Sequence, residues 1–182
     1  MSPVTHFLTG WVVANTASLS RRERALITLA ALAPDVDGLG VIPELLTRHS
    51  AHPLLWFSQY HHALHNLVFA VVVAGAVFAL ATRGWPTALL ALLAFHLHLL
   101  EDLVGSRGPD GFDWPIPYLA PFAHRYSWTW DGQWALNAWP NLGLTLLLLA
   151  ITIWLARTRG ISPVNLFSTK SDRAVVAALW RH

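Results

Sequence analysis

The sequence predicts an all-α, multi-pass transmembrane bundle with three clear spans and a short N-terminal helix pair, and three observations carry that expectation. The chain is 54% hydrophobic and only 12% charged, against roughly 25% charged residues in an average soluble domain. Three apolar runs approach the roughly 20 residues with which a helix crosses a bilayer. The histidines and aspartates stand in groups at the ends of apolar runs: His6, then Asp35 and Asp37, then His61, His62 and His65, then His98 and Asp102. Ionisable groups at membrane depth are costly and mark functional sites.

Taken in order, Val4 to Leu19 and Arg24 to Ala33 form the short pair, joined by Ser20-Arg21-Arg22-Glu23, which reads as a helix cap and a charged first turn. They either cross a thinned region or pack as a partly inserted hairpin. Pro34 ends the second helix, because the residue before a proline is pushed out of the α region. Asp35 and Asp37 then follow in a segment expected to be extended, where alternate side chains point the same way. Gly38 to Tyr60 reads as a long functional loop. Asn66 to Thr82, bounded by His65 and Arg83, is the clearest span.

After the Gly84-Trp85-Pro86 turn, Thr87 to Leu100 runs into the His98 to Asp102 motif. The resulting helical hairpin would put His65 and His98 at one membrane face. Val104 to Trp134 is a second long loop holding Trp114, Trp128, Trp130 and Trp134. It fits an aromatic belt at the membrane surface, or a headgroup-binding loop in which Trp114, Arg107 and Arg125 contact substrate. Ala135 to Ala156 is the third span, with Pro140 either starting or kinking it. Residues 1–160 thus form one membrane-embedded domain, and 161–182 a tail with a short amphipathic helix, Asp172 to Trp180.

Composition excludes several classes of function. The net charge of +2 and scattered arginines lack the continuous basic patch that nucleic acid requires. Without cysteine there is neither a disulfide framework nor a thiolate metal site, so nitrogen and oxygen must hold any metal. No basic residue precedes the first apolar stretch, and His6 interrupts it, so a signal peptide is not expected. If every segment crosses, the arginines gather on one face and the His and Asp motifs on the other. Arginine-rich short loops favour the cytoplasm, which puts the motifs on the extracytoplasmic side of a cell (inner) membrane.

His98 and Asp102 are four residues apart and share a helix face, so one ion can bind both without backbone rearrangement. The alternative is a structural His–carboxylate hydrogen bond. Glu101 reaches much the same side, whereas His96 points about 200° of helical rotation away. His65 can pair with His61 or with His62, only one of which should point inward. Asp35 and Asp37, if held together, repel unless a cation lies between them; the alternative is a solvated Asp turn. His6 in isolation reads as a satisfied core histidine.

The order Thr5-His6-Phe7-Leu8-Thr9-Gly10, Pro34-Asp35-Val36-Asp37, the His61 to His65 cluster with Asn66-Leu67, and His98 to Asp102 before a Gly/Trp/Pro loop resembles the YdjM-like family of membrane-bound metal-dependent hydrolases. The resemblance implies a multi-pass helical protein with hydrolase activity, and places His6, Asp35, Asp37, His65, His98 and Asp102 in a metal site. Tyr60 stands where the family commonly has a histidine, so His61 or His62 would substitute. The ligand set is also similar to that of helical zinc-dependent phospholipases C.

The sequence therefore predicts an enzyme that binds one or more divalent ions, most simply zinc, with Asp35 or Asp37 as bridging ligand or general base. The expected substrate is a phosphoester or lipid-linked compound at the headgroup level of the bilayer. Two rival readings are a transporter relaying a cation or proton through the same residues, and a bis-histidine haem protein using His62 or His65 with His96 or His98.

Overall fold

A computed structural model describes residues 1–108, 111–123 and 126–180. Its described residues build helices with no β-strand. Ser2 caps α1 (Pro3–Ala14), with Pro3 in the first turn where its missing N–H costs nothing. Ser20 and Glu23 form a reciprocal capping box on α2 (Arg21–Ala30), as the Ser-Arg-Arg-Glu pattern predicts. Gly10 lets the two helices close together, since a Cβ there would lie 2.6 Å from Ala31 Cβ.

The PDVD segment departs from expectation. It forms a 3₁₀ helix, Pro34–Gly40, rather than the extended segment expected. With about three residues per turn, positions two apart no longer share a side, and Asp35 and Asp37 point to different partners. The region expected to be a loop from Gly38 to Tyr60 also holds two short helices, α3 (Val41–Thr47) and α4 (Trp56–Tyr60). Glu44 ties them, accepting from the Ser58 backbone N–H at 2.9 Å and from its hydroxyl.

Asn66 caps α5 (Leu67–Leu80) by accepting from Phe69 N–H at 2.9 Å. This helix is shorter than the Asn66 to Thr82 span expected, because Asn66 serves as cap and the Arg83 N–H beyond its end is drawn to Glu23 Oε1 at 2.8 Å. Its 14 residues rise about 21 Å, less than the roughly 30 Å hydrocarbon core. The next helix, α6 (Gly84–Gly105), takes Pro86 into its first turn and carries the His98 to Asp102 motif to its C-terminal end. Pro140 starts α7 (Trp139–Arg159) rather than kinking it, and Gly160 closes it at φ 68°. The tail ends in α8 (Thr169–Leu179).

Among the described residues, two helices, α6 and α7, are long and apolar enough to cross a membrane. A third crossing exists if Arg21–Ala30 and Pro34–Thr47, bent by 60°, form one broken span. Helix α6 is central, packing against α1, α2 and α5, while α7 lies on α1. Ala14, Ala30, Ala31, Ala91 and Ala94 dominate one core cluster with Ile27, and these small side chains let the backbones approach, as membrane helices require. A second cluster, Ala70, Phe95, Leu99 and Ile116, fixes the aromatic loop to the α5–α6 hairpin.

This antiparallel arrangement gathers the start of α1, the α2 break, the start of α5 and the end of α6 at one pole. Arg24, Arg83 and Arg159 lie at the other. There Arg83 donates to Ser18 O at 3.3 Å, Arg24 to Asn165 Oδ1 at 3.2 Å, and Arg159 to Asn15 O.

Candidate metal centre

At the first pole, three imidazoles from three segments present their Nε2 atoms to one small region. Each has its other nitrogen engaged. His98 Nδ1 bonds Ala31 O at 2.8 Å, His6 Nδ1 meets Glu101 Oε2 at 2.6 Å, and His65 Nδ1 lies 3.3 Å from Asp37 Oδ2. Such partners fix ring orientation and tautomer, which is how proteins aim metal-binding histidines.

His65 Nε2, His98 Nε2 and Asp102 Oδ2 form a triangle with edges of 3.3, 3.1 and 3.4 Å. Ligands at 2.0–2.1 Å around a tetrahedral zinc stand about 3.3 Å apart, so the triangle has the size of one face of such a site. Its members are 1%, 0% and 3% exposed, so the three ligand atoms face one another away from solvent. His6, Asp35 and His98 form a second group of ligand atoms within 4.8 Å of one another. His98 belongs to both.

Unmet polar atoms point the same way. His6 Nε2 lies 3.3 Å from Asp102 Oδ1 but is not aligned for a hydrogen bond, and it and Asp35 Oδ2 are buried without partners among the described residues. A buried acceptor without a donor is costly, and a cation would satisfy both. The oxygen and nitrogen donors therefore fit a borderline divalent ion such as zinc. A haem fits poorly: Asp102 Oδ2 lies against both His65 and His98, in the space a porphyrin between them would need.

The aspartate pair divides its work. Asp35 Oδ1 stands 3.9 Å from His98 Nε2. Asp37 instead accepts from Leu64 N–H at 3.1 Å and holds His61 Nδ1 at 3.0 Å as well as His65. Residues 61–66 form turns rather than the helix start that the His spacing suggests, which lets both rings reach one carboxylate. Burial opposes a proton on His65, but hydrogen bonds to Asp102 and Asp37 and the pull of both carboxylates outweigh it, raising its pKa to about 9.

His62 goes elsewhere. Its ring packs on Trp114 with centroids 4.2 Å apart, its Nδ1 is buried without a partner among the described residues, and burial with the neighbouring His65 and His61 pushes its pKa down to about 4. His61, against Trp114 at 5.0 Å, lines a cavity of about 80 Å³ with Asp35, His65, Asp102, Ser106 and Leu136. The Met1 ammonium donates to Asp102 and Ser106 at the same place.

Of the expected substrate contacts, Trp114 lines this cavity and its buried Nε1 has no partner among the described residues. Arg107 is bound into the loop by Asp113 at 2.9 Å and Asp131 O at 2.7 Å, and Arg125 lies outside the described residues. His96 bonds Tyr118 Oη at 2.9 Å, away from the cluster.

Thr9 and Gln133 escape sequence reasoning, and Glu101 was read no further than as lying on much the same side as His98. Glu101 and Thr9 together orient His6; the three-residue spacings of His98 to Glu101 and His6 to Thr9 were the available signals. Buried Gln133 accepts from Trp114 N–H at 2.7 Å and donates to Leu103 O at 3.0 Å, pinning the tryptophan to the end of α6, and nothing in its local sequence marks it. The sequence model of the YdjM inner membrane protein family matches residues 1–179. No curated protein and no solved structure matches the chain.

Proposed function

The chain belongs to the YdjM inner membrane protein family, and on that footing we propose that it is an integral membrane metal-dependent hydrolase acting on a phosphoester or lipid-linked substrate. The observation that carries the reading is the buried triangle of His65, His98 and Asp102, whose edges match the ligand spacing of zinc. His65, His98 and Asp102 would hold the ion, with His6 and Asp35 completing its surroundings. A bound divalent ion would acidify a water and polarise the scissile bond.

The chain's own groups supply the rest. Asp35, partly exposed at the cavity and with an unpartnered Oδ2, is placed to take a proton from an attacking water. Asp37 is occupied in holding His61 and His65 and acts through them. Trp114 offers its free N–H to a substrate oxygen, while its ring and Leu136 limit water entry. A cation relay would instead need ionisable groups spread through the bilayer depth, and here they gather at one pole.

The test uses the detergent-purified protein with zinc, assayed on bis-p-nitrophenyl phosphate, p-nitrophenyl phosphate and short-chain phosphatidylcholine. Hydrolysis that needs zinc and is lost in Asp35→Asn supports the reading. A zinc-loaded, folded protein that hydrolyses none of the three overturns it.

A further inference from the structure

A groove of about 400 Å³ runs beside the metal centre, lined by Val36, Leu39, Pro43, Trp56, Tyr60 and Leu64, with Asp37 the one charged residue in its lining. We infer that this groove seats an acyl chain of a membrane phospholipid, with the lipid's phosphate directed to the metal centre. The inference rests on the hydrolase reading for the fate of the headgroup, and on separate observations for the chain.

The first is a shared wall. Leu64 lines the groove and gives its N–H to Asp37 Oδ2, the same oxygen that faces His65 of the ligand triangle. A molecule in the groove therefore ends one carboxylate away from the metal cavity. The second is continuity with the lipid-facing surface. Leu39, Trp56 and Tyr60 are 60%, 52% and 58% exposed, and Ile42, Leu45 and Leu46 extend the apolar surface along α3, a helix with no buried residue. In an inner membrane protein, such a surface lies against hydrocarbon, where exposed apolar area carries no penalty.

The third is what the lining lacks. A peptide in the groove would bring a run of backbone N–H and C=O groups that need partners, yet Asp37 is already bonded to His61, Leu64 and His65, and the lining side chains otherwise offer just the Tyr60 hydroxyl and the Trp56 indole N–H. An alkyl chain asks for none. Construction supports permanence: a Cβ at Gly40 would stand 3.0 Å from Phe57 N and 3.1 Å from the Trp56 carbonyl carbon, so glycine is what lets α4 close against the 3₁₀ helix to form the groove.

The test places the full chain in phosphatidylglycerol nanodiscs doped with a phosphatidylglycerol that carries a diazirine at its acyl terminus, and maps photo-crosslinks by mass spectrometry. Crosslinks should concentrate on residues 36–64 above the level seen on the outer face of α7. Val36→Trp and Ala63→Trp, both at lining positions and each filling the groove, should reduce them to that level while α7 labelling and zinc content stay as in the wild type. Labelling of 36–64 no greater than that of α7 overturns the inference, and this comparison needs only the wild-type protein. Persistence of the excess in both variants overturns it too. Loss of zinc binding or hydrolysis with the crosslink pattern intact removes the hydrolase reading and leaves the groove's occupant established.

Discussion

Glu101 touches no other proposed ligand than His6, yet it sets what His6 can do. With Nδ1 held at 2.6 Å by Glu101, and Glu101 itself held by Thr9, the free Nε2 can face only the cluster. Such outer partners are worth about 10–100-fold in metal affinity. Glu101→Gln should therefore weaken zinc binding by about that factor in a competition titration, whereas His96→Ala, whose ring bonds Tyr118 instead, should leave affinity unchanged. An unaffected Glu101→Gln together with a crippled His96→Ala would place the site on the other face of α6.

The pKa of His65 gives a second expectation at this scale. Without an ion, its raised pKa of about 9 means that it carries a proton at neutral pH. An imidazole must be neutral to ligate, so binding displaces that proton. Affinity should climb as pH rises toward 9 and level off above it. A pH-independent affinity between about pH 6 and 9 would separate His65 from the ion.

The α1–α2 contact is the element on which the site's geometry depends, because α1 delivers His6 and the end of α2 delivers Ala31 O and Asp35. Gly10 stands where they touch, 3.0 Å from the Thr28 backbone when given a Cβ. Gly10→Leu must push the pair apart at a cost of about 1–3 kcal/mol or more. The thermal midpoint should fall and zinc affinity with it; an unchanged midpoint would show that the helices are not packed as described.

Elements also show what the sequence could reveal. The i, i+4 pair His98 and Asp102 was legible because helix periodicity alone puts both on one face, and the α5–α6 hairpin because its apolar runs are bounded by charge. The parting of Asp35 from Asp37 was not. It depends on the chain turning as 3₁₀ after α2, and the 3₁₀ helix is packed against α4, a long-range contact that local pattern does not encode. The choice between His61 and His62 was hidden for a like reason: residues 61–66 turn rather than coil into helix, so helical spacing was the wrong ruler.

For the whole molecule, the position of Arg24, Arg83 and Arg159 at the pole opposite the His/Asp cluster carries a prediction about orientation. Short arginine-rich segments favour the cytoplasm, which would leave the metal centre extracytoplasmic and the tail inside. The chain has no cysteine, so Asn137→Cys, exposed beside the site, and Ser171→Cys, exposed on α8, can be labelled one at a time. In intact cells a membrane-impermeant thiol reagent should reach position 137 and miss 171. The opposite pattern would reverse the orientation, and labelling of both would mean that the poles lie on one side.

The hydrolase reading of this chain depends on a divalent ion sitting among His6, His65, His98, Asp35 and Asp102. Elemental analysis of the detergent-purified protein reads this directly, wild type beside His98→Ala and Asp102→Ala, with circular dichroism confirming that each variant stays helical. The account predicts a divalent metal, zinc by its ligand chemistry, at a stoichiometric level in the wild type and its loss from both variants. A helical wild-type protein that takes up no divalent metal even when zinc is supplied, or variants that retain it in full, would contradict the account.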